Sequence, residues 1–217
     1  MEKKILCVDD SFGSYYRPFK MFGRLASNPN LLTEKPDEIL AVVFTGGSDV
    51  NPSIYGEDRN LKTHYNPERD EFEKAVFEKA VSLGLPIIGI CRGSQLCCAL
   101  QKEGLLVQHI QNHGIGGVHP IKTDDGRIIQ VTSTHHQNQT LPKGAIAVAW
   151  AEPKRSKLYE GAPNKFIDLE KEYDVVFYPD TNALGIQYHP EYMDEKSTGF
   201  TYVEELCKRF FGLQRID

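Results

Sequence analysis

The sequence lacks the features that would assign it to a membrane, nucleic-acid-binding or disulfide-rich class. No apolar run among its 217 residues approaches the roughly 20 that span a bilayer, and residues 1–5 carry no apolar leader. The formal net charge is only −5, with acids and bases interspersed, so there is no basic footprint for nucleic acid. The five cysteines, an odd number without zinc-ribbon spacing, are typical of a reduced protein. We therefore expect a cytoplasmic protein that binds neither membrane nor nucleic acid.

Repeats, low-complexity segments and linkers are also absent, so residues 1–217 are expected to form one domain. Strand-like runs alternate with helix-like segments, which predicts a three-layer α/β sandwich with a mostly parallel sheet. Residues 16–25 are predicted to be helical, whereas residues 26–36 leave little room for the usual second strand. Asn66 and Pro67 should begin a further helix. Its predicted apolar stripe comprises Phe72, Val76, Ala80 and Leu83.

The most informative feature is a cysteine flanked by glycines. The apolar residues 85–88 predict a buried strand before it, and helix-forming residues follow it at 96–102. Gly89 and Gly93 stand on either side of Cys91, at positions that suit a tight strand–turn–helix connection. A thiol at a helix N-terminus is favoured as thiolate, which is the nucleophilic form. Cys91 is therefore a candidate for covalent catalysis; the alternative is a buried structural cysteine.

A histidine and an acid follow another predicted strand much later in the chain. The segment 184–188 leads into His189, Pro190 and Glu191. Residues on either side of a rigid proline can point the same way, so Glu191 can hold the His189 imidazole while His189 faces a thiol. Nucleophile, base and orienting acid then occur in the chain order cysteine, histidine, glutamate. His136 is an alternative base, but it has no acid at the same spacing.

A glycine pair follows the β-branched run at residues 39–44. Gly46 and Gly47 would let backbone N–H groups approach a developing oxyanion, with the Arg92 N–H as the second donor. The alternative is a simple tight turn. We expect Gly47 and Arg92 to form an oxyanion hole.

Ordered motifs along nearly the whole chain resemble those of class I glutamine amidotransferase-type domains. The resemblance is strongest to the γ-glutamyl hydrolase (γ-glutamyl-γ-aminobutyrate hydrolase) branch. The matching motifs are residues 5–12, 44–57, 69–70, 91–95, 107–109, 133–137 and 189–191. The resemblance implies the flavodoxin-like class I glutamine amidotransferase fold.

The same resemblance implies the residues that hold the substrate. It assigns Gln95 to the amino or carboxylate end of a bound glutamyl group, although Gln95 could also be a solvated helix residue. It assigns His135, His136 and Gln137 to the glutamyl pocket, although these residues could also be structural. It also assigns Gly46 to substrate binding. The residues His109, His113 and His119 could suggest a metal site. No cysteine or carboxylate completes a tetrahedral set there, so we expect no metal and no cofactor.

The expected function is cysteine-dependent hydrolysis of γ-glutamyl amide bonds through a γ-glutamyl thioester, with release of glutamate. The substrate would be a γ-glutamyl amine, a γ-glutamyl peptide or glutamine. One alternative is a glutaminase subunit that passes ammonia to a synthetase partner chain, and another is a catalytically quiet binding or regulatory protein. Residues 46–52 do not follow the Pro-Gly-Pro-Gly pattern of amidotransferase subunits, which favours the stand-alone hydrolase. The sequence leaves open the leaving amine, a synthetase partner and a homodimer.

Overall fold

A computed structural model describes residues 3–9, 13–114 and 116–216. Residues 10–12, at the end of the first sequence motif, lie outside the described residues. The strands are β1 (Lys4–Val8), β2 (Arg24–Ala26), β3 (Ile39–Phe44), β4 (Ile87–Ile90), β5 (Leu106–Val107), β6 (His109–Ile110), β7 (Gly117–Thr123), β8 (Ile128–Ser133), β9 (Asn138–Gln139), β10 (Ile146–Ala151), β11 (Tyr159–Glu160), β12 (Tyr173–Tyr178) and β13 (Ala183–Ile186). The α-helices are α1 (Leu31–Glu34), α2 (Pro67–Ser82), α3 (Arg92–Ala99) and α4 (Thr198–Phe211).

Nine of these strands form one sheet in the order β2-β1-β3-β4-β13-β12-β10-β7-β8. The first five in this order run parallel, and the remaining four extend the sheet with antiparallel pairs. Strands β4 and β13 are neighbours, with Ile90 opposite Ile186. The carboxyl ends of these two strands therefore meet at one edge of the sheet, where ligands bind in open α/β sheets.

Apolar side chains fill both faces of the sheet. Phe200, Val203 and Leu206 of α4 belong to the cluster on one face. Val76 and Phe77 of α2 pack with residues of α3 in a second cluster. The predicted three-layer α/β sandwich is thus confirmed. In the described part of the chain, no helix is both long and apolar enough to cross a membrane.

The helix predicted over residues 16–25 is wrong. The structure has a single 3₁₀ turn, Arg17–Phe19, and the chain then joins the sheet as the short strand β2. Here the backbone lies directly on β1: a Cβ atom on Gly23 would stand 2.9 Å from the carbonyl oxygen of Lys3. The Arg24 N–H also donates to that carbonyl at 3.0 Å. Pairing with the sheet outweighs local helix propensity here. The second strand, β2, is short, in line with the little room that the sequence leaves for it.

Helix α2 begins as predicted but is rotated relative to its predicted apolar stripe. The Asn66 side chain caps the helix by accepting from the N–H groups of residues 68 and 69. Phe72 is 45% exposed, whereas the acidic side chains of Asp70 and Glu73 are buried. Both acids pair with the buried guanidinium of Arg92. Because these charges must be satisfied inside the protein, they determine which face of α2 turns inward.

Candidate active site

Cys91 occupies a strained turn between β4 and α3. Its backbone has φ 53° and ψ −104°, a conformation that costs a non-glycine residue about 1–3 kcal/mol. The two flanking glycines are required by close packing. A Cβ atom on Gly89 would stand 2.2 Å from the Gly93 carbonyl oxygen, and one on Gly93 would stand 2.3 Å from that of Phe44. The packing thus fixes the turn and holds the thiol at the edge of the sheet.

His189 and Glu191 follow β13, the strand beside β4. His189 Nδ1 lies 2.6 Å from Glu191 Oε1, and the Cys91 side chain is close enough to the imidazole to raise its pKa. The His189 backbone is fixed as well, because its N–H donates to Thr132 Oγ1 at 2.8 Å. The three side chains that the sequence singled out are therefore brought together, with His189 between the sulfur and the carboxylate.

The electrostatics of this group favour a protonated His189. Burial on its own lowers the pKa of His189, but hydrogen bonds to Cys91 and Glu191 and the charges of both outweigh it and raise the pKa to about 10. At neutral pH the imidazole is then an imidazolium held between the Glu191 carboxylate and the Cys91 sulfur. Such a group is already poised to donate a proton.

A cleft of about 220 Å³ opens beside the thiol. Its lining consists of Gly47, Ser48, Asp49, His64, Cys91, Gln95, Thr134, His135 and His136. Asp49 is the buried acid of this cleft. Its Oδ2 accepts from the His64 N–H at 2.8 Å, and its Oδ1 lies 3.0 Å from His136 Nε2. His136 thus has an acidic partner, supplied by the glycine loop and not by its own segment.

His135 presents an unused acceptor. Its Nδ1 lies 2.8 Å from the Gln137 carbonyl oxygen, so Nδ1 carries the proton and Nε2 has a free lone pair. Burial and the neighbouring His113 hold the pKa of His135 well below its usual range, which keeps the ring neutral. Nε2 is buried and has no hydrogen-bond partner within the described residues. A buried acceptor of this kind is costly unless a ligand supplies a donor.

The other residues that the resemblance suggested take different positions. Gln95 is buried, not solvated; its amide donates to Gln187 Oε1 at 3.3 Å, and Gln187 Nε2 donates to Cys91 Sγ at 3.7 Å. Gly46 lies outside the cleft lining, next to the His189 ring. Gln137 also lies outside the lining, and its amide donates to Thr63.

Besides Asp49, three residues near His189 and the thiol were missed at the level of sequence. Tyr192 stacks on the His189 ring, with 4.7 Å between ring centroids and an interplanar angle of 9°, and is 63% exposed. Tyr15, which precedes strand β2 in the chain, also lies near the His189 ring, with 6.2 Å between ring centroids. Gln187 donates to the thiol. Tyr192 and Gln187 are close neighbours of His189 in sequence, which was an available signal; Tyr15 offered none.

Two of the three histidines considered for a metal site lie within hydrogen-bond distance of buried carboxylates. His113 Nε2 lies 3.0 Å from Glu172 Oε2, and His119 Nε2 lies 3.2 Å from Asp174 Oδ2. Over residues 3–9, 13–114 and 116–216, no three metal-ligating side chains converge. His109 instead packs its ring against that of His136, at 5.8 Å between centroids.

The fold is that of class I glutamine amidotransferase-type proteins. A candidate GMP synthase component from Thermoplasma acidophilum superposes with a TM-score of 0.59 at 16% identity, covering 98% of this chain and 94% of that chain. A glutamine amidotransferase from Thermotoga maritima gives 0.58 at 17% identity, covering 96% and 86%. At such identities the likeness concerns the fold alone.

The model of the peptidase C26 family matches residues 25–147. The chain belongs to the peptidase C26 family, within the class I glutamine amidotransferase superfamily, which contains amidotransferases and hydrolases.

Curated relatives carry names of the same kind. A candidate glutamine amidotransferase of Mycobacterium tuberculosis, Rv2859c, is 28% identical over 71% of this chain and 51% of its own length. The glutamine amidotransferase-like protein YvdE of Lactococcus lactis is 29% identical over 69% and 65%. The γ-glutamyl-γ-aminobutyrate hydrolase PuuD of Escherichia coli is 24% identical over 76% and 69%. The chain thus spans between half and two thirds of the length of the first two relatives.

Proposed function

We propose that this protein hydrolyses γ-glutamyl amide bonds, with Cys91 as nucleophile, and that residues 1–217 form a single catalytic domain. The observation that carries the proposal is that His189 is hydrogen bonded to Glu191 and lies beside Cys91, whose thiol lines an open cleft. A strained cysteine elbow beside a protonated histidine is an arrangement suited to acyl transfer.

In the first half of the proposed reaction the Cys91 thiolate attacks the γ-carbonyl carbon. The N–H groups of Gly47 and Arg92 hold the oxygen as it becomes negative. His189 then gives its proton to the departing amine, the carbon–nitrogen bond breaks, and a γ-glutamyl thioester remains on the sulfur. Because His189 is protonated at rest, it acts as the acid in this half of the reaction.

In the second half the roles reverse. His189, now neutral, takes a proton from water as the water oxygen attacks the thioester carbon. The carbon–sulfur bond breaks, glutamate leaves, and the thiolate and imidazolium are restored. Glu191 keeps the imidazole oriented and stabilises its charge in both halves. Every group in this scheme is a side chain or a backbone amide of the chain.

The cleft has acceptors that suit the α-ammonium of a glutamyl group. Asp49 supplies a buried carboxylate, and His135 supplies the unpartnered Nε2 lone pair. Because the His135 ring is neutral, it does not repel a cation. An acidic side chain and a neutral acceptor among the cleft residues favour a substrate with a free α-amino group.

The leaving group separates two versions of this function. PuuD is named for a γ-glutamyl amine, which supports a stand-alone hydrolase, as does the glycine loop that lacks the amidotransferase-subunit pattern. In the alternative version, ammonia from glutamine passes to a partner chain; the fold is shared with the Thermoplasma neighbour, which is named as one component of a synthase.

A substrate panel tests the proposal. Glutamine, γ-glutamyl amines and γ-glutamyl peptides would be compared by kcat/KM, with glutamate release as the readout. We expect a γ-glutamyl amine or peptide to exceed glutamine, and Cys91→Ser to release no glutamate from any of them. Preference for glutamine would support the ammonia-delivering alternative. A panel without turnover by the wild-type protein would contradict the proposal.

A further inference from the structure

The Gly46–Gly47 peptide accepts a hydrogen bond from a side chain that the proposed mechanism does not use. Arg69, on the first turn of α2, donates from Nη2 to the Gly46 carbonyl oxygen and to Thr45 Oγ1, each at 3.0 Å. Its Nη1 lies 2.2 Å from the position of a Cβ atom on Gly47, so the guanidinium fills the space that a larger residue would need. The peptide is thus packed between Arg69 and the cleft.

The orientation of the Gly46 carbonyl also fixes that of the Gly47 N–H. The carbonyl and the N–H of one trans peptide unit point in opposite directions because the unit is planar. With the Gly46 carbonyl directed at Arg69, the Gly47 N–H is directed away from Arg69, and Gly47 itself lines the cleft beside Cys91. Two adjacent glycines restrict their shared peptide weakly, and Gly47 has φ 142°. A peptide flip would present the carbonyl to the oxyanion in place of the N–H.

Arg69 is itself fixed by the buried carboxylate of Glu73. The same carboxylate binds the side chain of Arg92, whose backbone N–H is the second proposed oxyanion donor. Arg69 Nε donates to Glu73 Oε1 at 2.8 Å, and Arg92 Nη1 donates to Glu73 Oε2. Arg92 Nη2 donates to Asp70, whose other oxygen accepts from the Asn51 N–H at 3.1 Å. Glu73, Asp70 and Arg92 are all buried. One face of α2 therefore holds the glycine loop through Arg69 and the start of α3 through Arg92.

We infer that Arg69 is a positioning residue that orients the Gly47 N–H toward the oxyanion, and that Glu73 couples it to Arg92. This inference rests on the proposed function, since it assumes that an acyl oxyanion forms at Cys91. A residue with this role stabilises the transition state and not the bound substrate. Its loss therefore lowers kcat and leaves KM nearly unchanged.

The test compares Arg69→Ala and Arg69→Lys with Lys74→Ala, a change of an exposed cation on the same helix. Glutamate release gives kcat and KM, thermal unfolding reports stability, and alkylation of Cys91 by iodoacetamide reports the thiol in a reaction without an oxyanion. We expect kcat to fall about 100-fold in Arg69→Ala, in the range for losing one oxyanion donor, with KM changed less than about threefold. The alkylation rate should stay within about twofold of wild type, and Lys74→Ala should match wild type throughout.

Added guanidinium ion provides a readout that a general loss of structure would not give. It should raise the kcat of Arg69→Ala at least tenfold and leave wild type and Lys74→Ala unchanged. Arg69→Lys keeps the charge but loses the paired donors, so it should remain impaired; if Arg69→Ala does not fold, the kcat loss of Arg69→Lys at unchanged KM decides the matter. Folded variants with wild-type kcat, or a loss confined to KM, would overturn the inference alone. A wild-type protein that releases no glutamate would overturn the proposed function and this inference with it.

Discussion

His189 Nδ1 and Glu191 Oε1 lie 2.6 Å apart across a single proline, and this short contact helps keep the imidazole protonated. Burial of His189 opposes the charge, yet its pKa is raised to about 10 because Cys91 and Glu191 stabilise the imidazolium. The proposed mechanism depends on this balance, since the same proton is later transferred to the leaving amine.

The pH dependence of thioester formation should follow from that balance. The imidazolium is present below its pKa and is lost as the pH rises through it, so the single-turnover rate should be steady near pH 8 and fall through about pH 10. Glu191→Gln keeps the hydrogen-bonding shape but removes the negative charge. It should move this alkaline limb to lower pH and lower the rate less than His189→Ala does. If the single-turnover rate of Glu191→Gln falls at the same alkaline pH as that of wild type, Glu191 does not support the charge on His189.

The cleft holds a second histidine–acid pair, and a comparison of variants separates the two. His136 Nε2 lies 3.0 Å from Asp49 Oδ1, but it is His189 whose pKa is raised by the adjacent Cys91. We expect His189→Ala to lose nearly all kcat, and His136→Ala to affect mainly KM, measured as glutamate release over a range of substrate concentrations. A greater loss of kcat in His136→Ala would assign the proton transfers to the Asp49–His136 pair.

Asp49 should decide whether a free α-amino group is required. In Asp49→Asn we expect KM for a γ-glutamyl amine to rise about 10- to 100-fold, the range for losing a charge-assisted hydrogen bond. The same substrate with an acetylated α-amino group should be poor with wild type and little affected by the change. Asp168→Asn, at an exposed acid, is the matched control. If wild type and Asp49→Asn prefer the free α-amino substrate over the acetylated one to the same extent, the ammonium is bound elsewhere.

Sequence reasoning located the site best where its parts are contiguous in the chain. The cysteine elbow, the His-Pro-Glu segment and the glycine pair each combine a strand end with residues that have special backbone requirements. Their geometry is largely local, and the parallel neighbours β4 and β13 then bring Cys91 and His189 together. In the antiparallel part of the sheet, strand β7 was harder to predict, because Gly117 and Pro120 are residues that usually interrupt strands.

The unpredicted parts arise from partners far apart in sequence. On α2 the acids Asp70 and Glu73 have the pattern of a solvated face, and only the arrival of Arg92 makes burial favourable. The Asp49–His136 pair joins residues 87 positions apart. Tyr15, which precedes strand β2, lies near the His189 ring although the two residues are far apart in sequence. No periodicity or short motif encodes such contacts, since tertiary packing creates them.

The central claim is a covalent γ-glutamyl thioester on Cys91. Intact-protein mass spectrometry after rapid acid quenching should detect one glutamyl adduct per chain with a γ-glutamyl amine, and peptide mapping should locate it at Cys91. The adduct should disappear with hydroxylamine, be absent in Cys91→Ser, and persist in Cys97→Ala, which removes a buried thiol further along helix α3. Glutamate release by Cys91→Ser at the wild-type rate, or an adduct that maps to another residue, would contradict the account.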